Sequence, residues 1–349
     1  KYHVSIQYIE NTQLERGWAW SVLLAHEYIN THFCVMLCDE CYTSSNHAEL
    51  KYVSHQNHLA ICTGMHVDDL ALIKKNYAIE HETDTVTKLI EKPVTVANDI
   101  MGSGTFLFSP LIFNVLEDKF KANGYSNFNL IDELNSCIQS GASVGFFELL
   151  GNYVNINDPD SLQLAKYHDR IAHFSKYKIS LLICPVGNEH DIRFTTNRYR
   201  ELQIFDQISV VLPFDHQLEQ EITDTNVETI ICPKHYKHFG QRVKYGLSKL
   251  KGDIFITTEA DYSFANRDVE KLLSYLKEAD IVVGTRTTRQ LIHQGSRMYG
   301  PARLAHSALG KLIQVLWWTR GGRFTDVGCT FRAIWATSYR ELEKDLTST

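Results

Sequence analysis

Short apolar runs alternate with helical spacing along most of the chain. "FCVMLCD", "HLAICTG", "VTKLIEK" and "SGTFLFS" have the length and composition of strands. "WAWSVLLAHEYIN", "PLIFNVLEDKFKAN" and "LIDELNSCIQSG" repeat apolar residues three and four apart, as amphipathic helices do. After Ile171 the pattern restarts. Polar "HFSKYK" leads into the buried strand "ISLLIC", followed by strands in "ISVVLPF", "ETIICP", "DIFITTEAD" and "ADIVVGTR". Helical patterns in "FGQRVKYGLSKLKG" and "DVEKLLSYLKEA" lie between them. This alternation predicts an α/β fold with mostly parallel sheets and ligands at the carboxyl ends of the strands. The restart predicts two domains, 1–170 and 178–349, with a linker at 171–177.

A length of 349 residues also suits two domains. Hydrophobic residues make up 44% and charged residues 22%, an ordinary soluble composition. The net charge of −6 gives no global attraction to nucleic acid, so none is expected as a partner. There is no internal repeat, and no apolar run reaches the roughly 18–20 residues of a spanning helix. The opening "KYHVSIQYIE" has no initiator methionine and predicts a domain entered partway. The closing "YRELEKDLTST" is open to the same reading.

Eight cysteines sit mostly inside apolar runs, the pattern of free core thiols in a reducing, cytoplasmic setting. Cys38 and Cys41 form a Cys-x-x-Cys. A zinc site needs two further ligands. Cys34 and Cys38 on one strand stand roughly 13 Å apart, too far to share an ion. A redox pair opens a helix, whereas this pair closes a strand. Cys34 and Cys38 are therefore expected as strand filler and Cys41 as a loop thiol. Asp39, at the strand's carboxyl end, gains the chemical weight.

Four stretches occur in order over residues 14–167: "RGWAWSVLLAHEYI", "FCVMLCDECY", "VTKLIEKPVTVANDIMGSGTFLFSPLIFNVLED" and "GNYVNINDPDSLQLA". Together they resemble the sugar-1-phosphate nucleotidyltransferases. The resemblance implies a partial nucleotidyltransferase fold with Gly17 and Ala19 in a loop near the nucleotide base. Asp39 would hold Mg²⁺, with Asn155 at a second metal position. Glu91 and Lys92 would touch the sugar and its phosphate, with Lys92 catalytic. Gly104 would let the backbone approach the sugar. A carboxylate-held Mg²⁺ and a lysine suit a reaction that joins two anions. The family's glycine-rich phosphate loop is not among these residues, and Ala78 replaces a family glycine. Each residue also has a plain reading: "EKP" is a common surface tripeptide, and Asp39 and Asn155 can satisfy turns.

A second ordered set covers residues 178–341: "KISLLICPVGNEHDI", "KYGLSKLKGDIFITTEADYSF", "ADIVVGTRTTRQ" and "FTDVGCTFRAIW". It resembles family 2 glycosyltransferases of the GT-A type, closest to those acting on polyprenyl phosphates. Both halves would then be Rossmann-like. The resemblance implies Pro185, Asn188, Glu189 and Asp215 near the donor nucleotide, and Glu259 and Asp261 on Mg²⁺ or Mn²⁺. Two carboxylates at i and i+2 on a strand end can meet one divalent ion on a diphosphate. Arg286, Arg297, Arg303 and Arg332 are candidates for phosphates. Asp326 is the candidate base if the acceptor is a hydroxyl; a phosphate acceptor needs none. Pro213 stands where the family carries an acid. Arg286 also reads as a strand-end arginine and Asp326 as a loop cap. His235 and His238 read as solvated. "SALGKLIQVLWWTRGGR" reads as a core helix or as an interfacial helix at the cytoplasmic membrane face. The implied partners are a nucleotide sugar, a sugar 1-phosphate and a polyprenyl phosphate. A hydroxyl acceptor or a non-catalytic nucleotide-sugar binder remains open.

Overall fold

The computed structural model describes residues 4–53, 57–186, 192–215, 227–261, 263–286, 300–316 and 326–346. The chain divides into two compact units, Lys1–Ala172 and His173–Thr349. The expected linker stretch is helical through His173 and then forms a 3-10 turn at Phe174–Lys176.

The first unit is built on β1 (Phe33–Met36), β3 (Ala60–His66), β4 (Tyr77–Glu82), β5 (Thr85–Glu91), β6 (Ile100–Phe108) and β7 (Val144–Glu148). Their order is β1-β6-β3-β7-β5-β4, and β4 also pairs with β6. β2 (Glu40–Thr43) and β8 (Asn152–Asn155) form a separate ribbon. The helices are α1 (Trp18–Leu24), α2 (Leu70–Lys75), α3 (Leu111–Ala122), α4 (Leu130–Gln139) and α5 (Pro159–His173). The α/β class holds, but the expected parallel sheet is corrected here, since only β3 and β7 pair in parallel. The reason is connection length. A two-residue turn joins β4 to β5, and parallel neighbours need a longer crossover.

All nine residues of β6 are buried because it has partners on both edges. Helix α3 places Ile112, Phe113, Leu116 and Phe120 on one buried stripe. Asn129 caps α4 by accepting from Ile131 N and Asp132 N. Cys34 on the edge strand β1 is exposed, as is Cys38 in the turn that follows, so neither is buried filler. Cys41 lies in β2, not in a loop, and none of the eight cysteines is in a disulfide.

The second unit has one sheet in the order β11-β10-β9-β12-β14-β13. Its strands are β9 (Ile179–Ile183), β10 (Gln207–Leu212), β11 (Glu228–Ile231), β12 (Ile254–Thr258), β13 (Ile281–Val283) and β14 (Arg332–Trp335). β11, β10, β9 and β12 are parallel, while β14 runs antiparallel to both neighbours. The described helices are α6 (Ile192–Arg200), α7 (Phe239–Lys249), α8 (Val269–Leu276), α9 (Gly300–Leu316) and α10 (Ala336–Leu342). The two-residue strand period divides the core. Leu181, Ile183, Val210, Ile254 and Ile256 face the α6 and α8 side. Leu182, Val211 and Phe255 face the α7 and α10 side.

Two glycines of α7 carry opposite expectations. A Cβ on Gly246 would stand 2.7 Å from Leu182 Cδ2 and 3.2 Å from Val211 Cβ, whereas one on Gly240 meets nothing within 4 Å. Alanine gains up to about 1 kcal/mol of helix propensity, but overpacking costs about 1–3 kcal/mol. Gly240→Ala is therefore expected to raise the thermal midpoint slightly and Gly246→Ala to lower it. Shifts of the same sign would contradict this packing.

Candidate functional site

In the first unit, β1 ends beside β6, and Leu37 N donates to Gly104 O (3.1 Å). The chain then turns through Asp39, which is exposed, into β2. Pairing with β8 sets Glu40 opposite Asn155, and Ile156 N donates to Asp39 O (2.7 Å). The backbones of the two expected metal positions are thus neighbours. Asn157 Nδ2 donates to Asn155 Oδ1 (2.6 Å). The oxygen donors of Asp39 and Asn155 suit a hard cation such as Mg²⁺.

The residue that sequence reasoning missed is Glu40. Its carboxylate accepts from Tyr42 OH (2.5 Å), Tyr153 OH (2.9 Å) and Gly104 N (2.9 Å to each oxygen). Burial pushes the Glu40 carboxyl above its ordinary value, more than these donors pull it back, and Asp39 adds repulsion. Tyr42 and Tyr153 are raised by burial and by the Glu40 charge, which keeps both as donors. Gly104 is buried, and a Cβ there would strike Leu37 and Glu40. The close approach that this glycine permits is to the protein's own side chains.

Glu91 ends β5 and is half-buried, and burial raises its carboxyl against a hydrogen bond from Asn129. The row Glu91–Tyr77–Gly102 crosses β5, β4 and β6, linking it to the Gly104 end. Lys92 is exposed, has φ of 43° and lies 3.9 Å from Glu91. Gly17 (φ 77°) caps α1 with Asn127 packed against it. Ala19 is not in a loop: it is helical, fully buried in the core and offers nothing to a ligand. A cavity of about 700 Å³ opens near Leu59, Ser109 and Ser143, at the other end of this sheet.

In the second unit, Pro185 follows β9 and is buried. Glu259 and Asp261 follow β12, and Cys184 N donates to Thr258 O (2.8 Å), which closes the strand pair. Thr330 Oγ1 donates to Glu259 Oε1. Asp261 is buried and accepts from Ser263 N (3.1 Å) and Ser263 Oγ (2.7 Å). Each carboxylate is aimed by a neighbouring hydroxyl, and the pair suits Mg²⁺ or Mn²⁺ by donor type. Among the described residues, no group of three or more His, Cys, Asp or Glu side chains is arranged for a metal. Asp215 is exposed past the carboxyl end of β10.

Arg286 and Asp326 form a buried pair. Arg286 N and Nε donate to Asp326 Oδ2 (3.0 Å each) and Nη2 donates to Oδ1 (3.4 Å). Burial disfavours the Arg286 charge, but Asp326 more than restores it, so the guanidinium stays charged. It lies 5.7 Å from the Phe264 ring centre, and Phe264 stacks on Phe331. The expectation that Asp326 acts as a base is corrected: its side chain is inaccessible and both oxygens are engaged. Arg332 is also reassigned. Its Nε donates to Cys329 O (2.7 Å) and Nη2 to Val327 O (3.3 Å), so it braces the loop before β14. Asn188, Glu189 and Arg297 lie outside the described residues, as does the side chain of Arg303 on α9. Sequence reasoning also missed His306, whose Nδ1 lies 3.4 Å from Asp326 Oδ1.

A family model described as nucleotidyl transferase matches residues 1–169, just under half of the chain. No curated protein matches the chain. Solved structures similar to it include a protein described as a glucose-1-phosphate thymidylyltransferase from Bacillus anthracis, in complex with a sucrose. That match has 17% identity over 47% of this chain and 63% of the other, with a TM-score of 0.40. An inositol-1-phosphate CTP transferase from T. maritima is 18% identical over 44% and 60%, at 0.37. A UDP-glucose pyrophosphorylase complexed with UDP-glucose is 17% identical over 46% and 63%, at 0.38. The chain thus spans 60–63% of the length of these structures.

The raised Glu40 carboxyl sets a pH dependence. Its folded value exceeds the ordinary 4.5, so its favourable contribution is complete below that value and is lost as pH rises through the folded one. The thermal midpoint of wild type, taken relative to Glu40→Gln, should fall as pH rises from about 4.5. A flat difference would remove burial as the dominant influence on Glu40.

Proposed function

We propose that this chain joins two modules that handle activated sugars, and that the second transfers a sugar from a nucleotide-sugar donor. The observation that carries this reading is positional. The strand order reverses between β9 and β12, and in open α/β sheets ligands bind outside the carboxyl ends at that point. Pro185, Glu259 and Asp261 stand there, and Asp215 follows the next strand. Glu259 and Asp261 would hold Mg²⁺ or Mn²⁺, which supplies charge to offset a leaving diphosphate when bound. Arg286 would add a fixed positive charge, with Asp326 fixing its orientation.

For the first module, the match over residues 1–169 supports nucleotidyl-transferase-type recognition of a nucleotide and a sugar 1-phosphate. Asp39 and Asn155 would hold the metal, with Glu91 and Lys92 toward the sugar and its phosphate and Gly17 toward the nucleotide. A second reading, binding without turnover, is favoured in this module because Glu40 and Leu37 fill the space beside Gly104. As a working pair, the first module would make or sense the donor that the second consumes.

The polyprenyl-phosphate acceptor rests on the family resemblance. α9 exposes Leu304, Leu309, Leu312, Val315 and Leu316, which suits an interfacial helix. Among the described residues no helix is long and apolar enough to cross a membrane.

Calorimetric titration of a nucleotide-sugar panel with Mn²⁺ tests the second module. Asp261→Asn is expected to weaken metal-dependent donor binding at least tenfold, while metal-free binding stays as in wild type. Unchanged affinity and metal dependence in that variant would remove Asp261 from the site.

A further inference from the structure

We propose that His306 is the proton acceptor of the second module, oriented by Asp326, and that the group receiving the sugar is therefore a hydroxyl. This rests on the donor reading above and puts a hydroxyl in place of the polyprenyl phosphate that the resemblance implies. An ionised phosphate acceptor has no proton to lose in the transfer, so a positioned base serves only a neutral nucleophile.

The geometry gives Asp326 and His306 separate parts. Asp326 is enclosed and neutralised by Arg286, which excludes it from touching an acceptor. Its Oδ1 is the acidic oxygen facing His306 Nδ1, at 3.4 Å. That nitrogen is buried and has no hydrogen-bond partner among the described residues, Asp326 included. A buried ring nitrogen facing a carboxylate is best satisfied as N–H, which leaves Nε2 as the basic nitrogen. The 3.4 Å separation is long, as such contacts often are before substrate binds.

Gly328 fixes the ring from the other side. A Cβ there would overlap His306 Cε1 and come within 2.9 Å of Nδ1 and 3.4 Å of Nε2, so the ring rests on the glycine backbone. The His306 side chain as a whole keeps 32% of its surface exposed. The segment from Asp326 to Thr330 ties this nitrogen to the acidic strand end, because Thr330 holds Glu259. Arg286 is electrostatically coupled to both Asp326 and Glu259. The charged groups around His306 are thus Asp326 in contact, with Arg286 and Glu259 behind it.

The step balances. The acceptor hydroxyl gives its proton to His306 Nε2, and an electron pair of its oxygen forms the bond to the anomeric carbon. The bond from that carbon to the diphosphate oxygen breaks, and its electron pair leaves with the nucleoside diphosphate.

The test uses the full chain as wild type, His306→Gln and His306→Ala. Donors are UDP-glucose, GDP-mannose and dTDP-glucose. Acceptors are glycerol in buffer, farnesol in phosphatidylcholine vesicles, and farnesyl phosphate in the same vesicles. The two alcohols separate a soluble from a membrane-borne hydroxyl. His306→Gln is expected to leave donor affinity within about twofold and to lower transfer to the alcohols by roughly a hundredfold. Imidazole should restore part of the rate to His306→Ala. Nitrogen NMR should show the wild-type ring protonated on Nδ1. Transfer to farnesyl phosphate alone, at a rate His306→Gln leaves unchanged, would overturn the proposal while keeping the donor reading. An Nε2-protonated ring, or loss of donor affinity in His306→Gln, would also overturn it. Failure of wild type to bind any donor would overturn both.

Discussion

The second unit depends on one register, the parallel pairing of β9 with β12 from Ile179↔Ile254 to Ile183↔Thr258. Both strands are buried along their whole length, so the sheet cannot slip by one residue without turning each side chain to the wrong core. The last bond, Cys184 N to Thr258 O, is where the chains part. Beyond it one chain gives Pro185 and the other gives Glu259 and Asp261. β14 then pairs antiparallel on the far edge of β12, and Thr257 Oγ1 donates to Thr330 O (2.6 Å). That contact brings Thr330 to Glu259, while the loop behind it carries Asp326, Gly328 and Cys329. A carboxylate pair, a cation and a histidine are therefore positioned by one strand register.

The first unit handles charge differently at an analogous strand end. Asp39 stays in solvent, whereas its neighbour Glu40 is turned inward and held by two tyrosines and a backbone N–H. Burying a carboxylate is costly unless donors surround it, and here they do so incompletely, which is why its acidity is weakened. The same grip fills the space beside Gly104. In the second unit the buried carboxylate of Asp326 has a full countercharge in Arg286. Removing one partner of such a pair costs about 3–5 kcal/mol, which makes it an anchor for the groups around it.

Much of this was legible from the order of apolar runs. The long helices α3 and α4 and the buried strands β6, β9, β10 and β12 follow continuous or strictly periodic patterns. Strand direction was not legible in the first unit, because connection lengths and the β4–β6 contact decide it. Cys34 on the edge strand β1 and Cys38 in the turn after it are exposed, although their sequence surroundings look apolar. "RAIW" is too short to announce β14, yet without it Thr330 would not reach Glu259. That Asp39, Glu259 and Asp261 follow strand ends was legible, because apolar runs mark where strands stop. Glu40 and His306 were missed because their partners lie far along the chain. Glu40 depends on Gly104 and Tyr153, and His306 on Asp326 and Gly328. Gly104 was a signal of close approach, but sequence does not tell what approaches.

The central claim is that the reversal point between β9 and β12 binds the diphosphate of a nucleotide sugar through metal-holding carboxylates. Anomalous scattering from crystals grown with Mn²⁺ and UDP tests it most directly. The account predicts a manganese peak in contact with Glu259 or Asp261, with the diphosphate oxygens on the same ion. A well-bound nucleotide whose diphosphate lies elsewhere in the second unit, with no manganese at these carboxylates, would contradict it.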